Sequence, residues 1–181
     1  MKFIAGVILV VSLMFGGRLG IGISGGGQYE VNFGALKYET LPALFYGGEF
    51  HLQAEALPSM YLEPLVLYLN DGNNKVPAGG VGLRINVAPR LGRFFLAPFF
   101  GLEGDILFYN SGIDLNQALM NNQLAVYFRE SSPKTAGLGF GGVSLYFSKS
   151  LSLDCQYRYY SFGNGIGIKM AWAGFTYYIN W

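Results

Sequence analysis

Apolar residues alternate with polar or small residues along most of this chain, and this period of two is the feature that most constrains its fold. Leu19, Ile21 and Ile23 are separated by glycines, and residues 151–160 repeat the pattern with serine, aspartate, glutamine and arginine in the intervening positions. Successive side chains of a β-strand point to opposite faces. Each such stretch therefore predicts a strand that separates an apolar environment from a polar one.

Eight strands can be placed between residues 18 and 181, and the connections between them alternate in length. Residues 110–136 form the longest predicted connection, with a possible short helix over 114–122, whereas residues 57–59 and 148–150 read as tight turns. An open sheet would leave unpaired backbone groups at its two edges, which hydrocarbon cannot satisfy. We therefore predict an all-β fold, an eight-stranded antiparallel up-and-down transmembrane β-barrel with a meander order.

The composition supports a membrane environment. Of 181 residues, 51% are hydrophobic and only 13% are charged, whereas a soluble domain carries roughly 25% charged residues. The aromatic content of 17% excludes disorder, and a single cysteine excludes a disulfide scaffold. A net charge of +1 gives no reason to expect nucleic acid as a partner. Aromatic residues near the strand ends predict interfacial girdles, and the 27 glycines are expected mostly on the lumen side of the first, fourth and sixth strands.

The first segment has the pattern of an export signal. Met1 and Lys2 precede a short apolar stretch, and the apolar run as a whole covers residues 3–17. That run is shorter than the roughly 20 residues that a membrane-spanning helix needs. We predict a signal peptide over residues 1–17 and a barrel domain over residues 18–181; the alternative is an uncleaved N-terminal helix.

The C-terminus carries a family resemblance. The last strand ends on an aromatic residue and places apolar residues at every second position before it, and this resembles the signal that the barrel-assembly machinery recognises in bacterial outer-membrane proteins. Its residues are Phe175, Tyr177, Ile179 and Trp181. Together with the glycine-rich first strand and the eight-strand rhythm, the chain resembles the small OmpA/OmpX-like barrel superfamily. The resemblance implies a bacterial outer-membrane location, contact with outer-membrane lipid, and the assembly machinery as a partner during biogenesis.

Charged side chains fall on the predicted inner face of the strands. These residues are Glu49, His51, Glu55, Arg84, Glu103, Asp105, Asp154 and Arg158. Glu63 is a further candidate, although Pro64 leaves the parity of its strand open. Eight strands enclose only enough room for side chains, so we expect opposite charges to pair and plug the lumen. A narrow cation-preferring pore is the alternative, because acids outnumber bases.

His51 is the only histidine and suggests a second alternative. With Ser24 or Ser144 as a nucleophile, it could act as the general base of a lipid-modifying hydrolase or acyltransferase. The His-x-Ser pair associated with deacylase barrels is missing, since Gln53 stands two residues after His51. One histidine without a second soft ligand also argues against a metal site. We therefore expect a histidine within the lumen plug and no cofactor.

Two further patterns favour the membrane barrel over other interpretations. The glycine motif of residues 20–25 lies within a strand, so it predicts relief of a crowded lumen and not a dinucleotide site. Cys155 has outward parity and is expected to face lipid. A soluble lipocalin-like barrel is disfavoured by the shortage of charges. We predict a monomeric, non-enzymatic, porin-like membrane protein with a structural or surface-interaction role.

Overall fold

The structure is a computed structural model that describes residues 18–33, 45–71, 76–89, 95–109, 134–161 and 166–179. It contains eight strands: β1 (Leu19–Phe33), β2 (Phe45–Leu57), β3 (Met60–Asp71), β4 (Val76–Val87), β5 (Leu96–Tyr109), β6 (Lys134–Tyr146), β7 (Leu151–Ser161) and β8 (Ile166–Ile179). Every strand pairs antiparallel with its neighbours in sequence, and β1 pairs with β8 to close the barrel. The predicted eight-stranded up-and-down barrel is confirmed. The possible helix over 114–122 lies outside the described residues.

The strands form because their alternating side chains match the two faces of the barrel wall. Each strand presents a large apolar side chain to the outside that is between 41% and 71% exposed. One example from each strand in order is Ile23, Phe50, Val66, Leu83, Leu102, Val143, Tyr157 and Phe175. The alternate positions point inward and include every buried charged residue of the described chain. Within the described ranges, no helix is long and apolar enough to cross a membrane.

The connections define two ends of the barrel. The turn end carries residues 58–59, 88–89, 95 and 147–150, and the loop end is where the strands lead into residues 34–44, 72–75, 110–133 and 162–165. Ser59 sits in the first of the tight turns with a positive φ of 66°. Its carbonyl oxygen accepts a hydrogen bond from the Ala88 amide at 2.9 Å, which ties two segments of the turn end together.

The structure settles the parity of β3. Tyr61, Glu63 and Leu65 point inward and are at most 4% exposed, whereas Pro64 faces outward opposite Leu83 of β4. A proline removes one backbone donor from the ladder, yet the strand continues on both sides of it. Glu63 is therefore part of the lumen.

The prediction for the glycines of β6 was wrong for three of the four, since only Gly142 shares the inward parity of the buried Ser144. Gly137 and Gly139 face outward, where an added Cβ would meet nothing within 4 Å, and Gly141 shares their parity. The inward positions hold Leu138 and Phe140. Near the loop end, both the outer surface and the lumen beside β6 are apolar, so polarity does not determine which face of β6 points inward. Close packing of the lumen requires the larger side chains, and this determines which face of β6 points inward.

Candidate functional site

Arg84 stands at the centre of a buried group of charges. The strand register places it directly opposite Glu63 of β3 and Glu103 of β5. Its Nε donates to Glu103 Oε2 at 2.5 Å, and its two terminal nitrogens reach Glu63 Oε2 at 3.1 Å and Glu49 at 2.8 Å and 2.9 Å. One guanidinium group therefore holds three carboxylates from three different strands.

Glu49 connects this group to the far side of the lumen. Arg158 of β7 donates to Glu49 Oε2 at 2.6 Å and to Oε1 at 2.8 Å, so the Glu49 carboxylate accepts bonds from both arginines. We call the five residues Glu49, Glu63, Arg84, Glu103 and Arg158 the charge layer. All are at most 6% exposed. The layer spans the lumen near its middle and joins β2, β3, β4, β5 and β7.

Aromatic rings cover the two arginines. The Arg158 guanidinium carbon lies 4.0 Å from the ring centre of Trp172, and that of Arg84 lies 5.0 Å from the ring centre of Phe140. A cation over an aromatic face gains electrostatic stabilisation, and more so when water is excluded. The charge layer is thus held by rings as well as by carboxylates.

His51 lies beside the charge layer in a chain of polar groups that leads toward the turn end. Its Nδ1 is 3.4 Å from Glu49 Oε1, and its Nε2 is 3.4 Å from the hydroxyl of Thr176. The Thr176 hydroxyl donates to Asp154 Oδ2 at 2.7 Å. Gly22 lies opposite His51 on β1, and an added Cβ there would collide with the imidazole ring. Glycine therefore makes room for the histidine to reach Thr176.

Glu49, His51 and Thr176 follow one another as the acid, the base and the hydroxyl do in a hydrolytic triad. Their hydrogen bonds, however, do not activate the Thr176 hydroxyl as a nucleophile. A general base must accept the proton of the nucleophile. Here the Thr176 hydroxyl donates to Asp154 instead, and the Glu49 carboxylate is occupied by two guanidinium groups. Of the two candidate serines, Ser24 is not bound to His51, because its Oγ has no hydrogen-bond partner among the described residues. Ser144 lies in the wall of the cavity described next.

A small cavity lies between the charge layer and the turn end. Its wall includes His51, Gln53, Tyr61, Glu63, Arg84, Asn86, Ala88, Phe99, Ser144, Tyr146, Asp154, Gln156, Thr176 and Tyr178. We call it the turn-end cavity. Arg18 stacks at its outer side, with the guanidinium carbon 3.5 Å from the ring centre of Tyr178 and 5.4 Å from that of Tyr146, and it donates to the carbonyl oxygen of Lys149.

The lumen on the other side of the charge layer is filled by apolar side chains. Leu69, Leu107, Ile168 and Met170 are at most 1% exposed and belong to one packed cluster that reaches across the barrel. We call these four residues with Leu67, Leu138 and Tyr160 the apolar plug. Sequence reasoning missed it, because an apolar inner face was not expected and the parity of β3 was open. Alternation of bulky apolar residues with glycine on β6 was the available signal.

The remaining predicted site residues lie at other places in the barrel. Glu55 is half-buried at the turn end, where it accepts hydrogen bonds from the backbone amides of Arg18 and Ser59. Asp105 is buried opposite Gly82 of β4 and binds neither arginine of the charge layer. Asp154 accepts from Ser152 as well as Thr176. The structure therefore brings together four of the eight predicted charges and adds Glu63 to them.

The C-terminal strand and the cysteine lie on the outer surface. Phe175, Tyr177 and Ile179 point outward along β8, and Trp181 lies outside the described residues. Cys155 is exposed on the outer face of β7. In the described segments, no group of three or more histidine, cysteine, aspartate or glutamate side chains is arranged to hold a metal ion.

Comparison with known proteins identifies the fold. No family model and no curated protein matches the sequence. Among solved structures, Neisserial surface protein A matches with a TM-score of 0.60 and 11% identity over 90% of this chain and 96% of that one. Ail, the attachment invasion locus protein of Yersinia pestis, matches with a TM-score of 0.53 and 12% identity over 90% of this chain and 99% of Ail. OprG from Pseudomonas aeruginosa matches with a TM-score of 0.51 and 11% identity over 91% of this chain and 97% of OprG. The chain has the fold of the small eight-stranded outer-membrane barrels, and the predicted resemblance is confirmed at this level.

Proposed function

We propose that this chain is a non-enzymatic integral protein of the bacterial outer membrane with a structural or surface-interaction role. The observation that carries the proposal is the inversion of polarity between the two faces of the barrel wall. Large apolar side chains cover the outside on all eight strands, while the buried charges point into the lumen. A soluble barrel would need the opposite arrangement, because water would otherwise meet a continuous apolar surface.

Exposed aromatic side chains support the same orientation in a bilayer. They occur on the outer surface near both ends of the barrel, as in the girdles that flank the apolar band of membrane barrels. Near the loop end these are Tyr46, Tyr68, Phe108 and Tyr159, and near the turn end they are Phe95, Phe147 and Tyr177.

A closed lumen favours these roles over transport. The charge layer and the apolar plug lie one above the other, and both consist of side chains that are almost completely buried. For an interaction role, the loop end is the better candidate surface, because the two longest connections, residues 34–44 and 110–133, leave the barrel there. Two proteins with the same fold are a neisserial surface protein and the attachment invasion locus protein of Yersinia pestis.

Electrophoresis and fractionation test the proposal. The full chain expressed in a Gram-negative host should fractionate with the outer membrane, and in detergent its unheated form should migrate differently from the boiled form. A closed barrel resists unfolding by detergent until it is heated, which gives this difference. A monomer that stays in solution without detergent would contradict the proposal.

The contact of His51 with Glu49 and Thr176 favours one alternative, a lipid-modifying hydrolase or acyltransferase. Purified protein and its His51→Ala variant can be compared for release of fatty acids from outer-membrane lipid. We expect no release from either protein, because the Thr176 hydroxyl is committed to Asp154. Release by the unmodified protein that disappears in the variant would establish the enzyme and refute the non-enzymatic role.

A further inference from the structure

Amide side chains that line the turn-end cavity have carbonyl oxygens without a donor among the described residues. Gln53 and Asn86 direct their amide nitrogens to the same atom, Glu63 Oε1, at 2.6 Å and 2.9 Å. A carboxylate oxygen accepts only, so these contacts fix the orientation of both amides. Their carbonyl oxygens have no hydrogen-bond partner in the described part of the chain, although Gln53 is 6% exposed and Asn86 is 7% exposed.

A third amide has the same property. Gln156 on β7 is 8% exposed, also lines the cavity, and its Oε1 has no partner within the described ranges. Two of the nearby donors are already engaged, since Arg84 is bound to three carboxylates and the Thr176 hydroxyl donates to Asp154. Buried polar atoms are costly when they lack a partner, so these oxygens call for an occupant that satisfies acceptors.

The carboxylates around the cavity outnumber the guanidinium groups, and this excess of negative charge favours a positively charged occupant. Two guanidinium groups face three carboxylates in the charge layer, and Asp154 adds a fourth carboxylate to the cavity wall. His51 is the other titratable group in the wall that can carry positive charge, and Tyr61, Tyr146 and Tyr178 contribute phenol groups. An added cation would bring this part of the lumen closer to neutrality, which reduces the cost of burying the carboxylates.

The size of the cavity limits the occupant further. Its volume is about 20 Å³, which is space for one or two water-sized particles. Divalent ions prefer several carboxylate ligands, and the described residues offer no group of three or more metal-binding side chains. Neutral carbonyl oxygens are the ligands that hold monovalent cations in selectivity filters. The lining therefore suits a small cation of single charge.

Access is possible from one side. The apolar plug and the charge layer close the cavity toward the loop end. Toward the turn end, the stacked side chains of Arg18, Tyr146 and Tyr178 stand between the cavity and the outside. Arg18 is only half-buried, so its side chain can move without disturbing the packed lumen.

We propose that the turn-end cavity is a binding site for one monovalent cation of the size of sodium, potassium or ammonium. Its ligands are the carbonyl oxygens of Gln53, Asn86 and Gln156, and the carboxylates around them supply the attraction. The cation reaches the site past Arg18 from the turn end and does not cross the barrel. This site adds to the proposed function and does not depend on the role of the loops.

Rubidium provides a direct test, because it can be located by its anomalous scattering. Crystals of the full chain soaked in rubidium chloride should show an anomalous peak between Gln53 and Asn86. Absence of a peak, or a peak only on the outer surface, would overturn the proposal and leave a water molecule as the occupant.

Thermal unfolding in detergent gives an independent measurement. The melting temperature should rise by a few degrees, with saturation, when choline chloride is replaced by potassium chloride at constant ionic strength. The Gln156→Met variant keeps the size of the side chain but removes the carbonyl oxygen, and it should lose at least half of this rise. Gln28→Met makes the same chemical change on β1 outside the cavity and should keep it. Equal melting temperatures of the unmodified protein in the two salts, or equal potassium effects in both variants, would refute the site.

Discussion

At the scale of single residues, the lumen depends on a few side chains that have several partners each. Glu49 is the clearest case, since its two oxygens accept bonds from Arg84 and Arg158 and one of them lies 3.4 Å from His51. Two arginines of like charge are thereby held around one carboxylate. Removal of this carboxylate affects both of them at once.

The Glu49→Gln substitution should strongly destabilise the barrel. It leaves two buried guanidinium groups without their shared counter-charge, and breaking a buried ion pair costs about 3–5 kcal/mol. Urea unfolding in lipid vesicles measures the change in the free energy of unfolding. Glu55→Gln is the matched control, because Glu55 is half-buried at the turn end, and we expect a change of less than about 1 kcal/mol there. Similar losses in both variants would show that the charge layer is not a main source of stability.

Gly22 leaves space inside the barrel that the His51 ring occupies. Gly22→Ala places a methyl group against the His51 ring and 2.9 Å from Thr176 Oγ1, so we expect a loss of about 1–3 kcal/mol from overpacking. Gly104→Ala on the outer face meets nothing within 4 Å and should be neutral or slightly stabilising. Unfolding midpoints of the two variants, measured side by side, test the difference. An equal effect would mean that β1 shifts to accept the methyl group.

At the scale of the strand, register decides which side chains meet. Arg84 lies between Glu63 and Glu103 because β3, β4 and β5 pair so that the three residues are direct neighbours. A shift by one residue in any of these strands would turn the charges to the outer face. The outward residues of the same strands favour the same register, because they are apolar and a shift by one residue would turn them into the lumen.

Leu102 and Leu151 allow the environment of the outer face to be tested at two heights along the barrel wall. Leu102 is 71% exposed in the middle of β5, and in a bilayer an arginine there should destabilise the protein by about 2–4 kcal/mol. Leu151→Arg at the first position of β7 lies near the turn end, where the cost should be about 1 kcal/mol or less. Unfolding from lipid vesicles gives both values. A larger loss at Leu151 would contradict the proposed position of the bilayer.

At the scale of the whole molecule, two separate layers of side chains close the lumen of the barrel. The charge layer crosses its middle, and the apolar plug fills the half nearer the loop end. The two barriers have no residue in common, and only β3, β5 and β7 contribute to both. Loss of one therefore leaves the other in place.

Planar-bilayer recording tests this double closure. The unmodified protein should give no current steps above the baseline of the bilayer, and the folded fraction recovered from the Glu49→Gln variant should remain silent because the apolar plug is intact. Regular channels from the unmodified protein would support the cation-preferring pore. Channels from the variant alone would show that the plug does not seal the lumen.

The architecture could be predicted from the sequence because its main signal is local. Alternation in β1, β4 and β7 contrasts apolar residues with polar or small ones, so a strand and its orientation follow from one short segment. The low charge content then assigns the apolar side to lipid. For these strands the sequence by itself determined the fold, the inward side of Arg84 and Arg158, and the outward side of Cys155.

Only the tertiary structure decided the contents of the lumen. On β3 and β6 both faces are apolar near the loop end, so no contrast in polarity was available, and the need to fill the barrel placed Leu67 and Leu138 inside. The partners of each charge depend on the stagger of eight strands around a closed ring, and closure is a property of the whole chain. For this reason Glu63 joined the charge layer, whereas Glu55 and Asp154 bind other groups nearer the turn end.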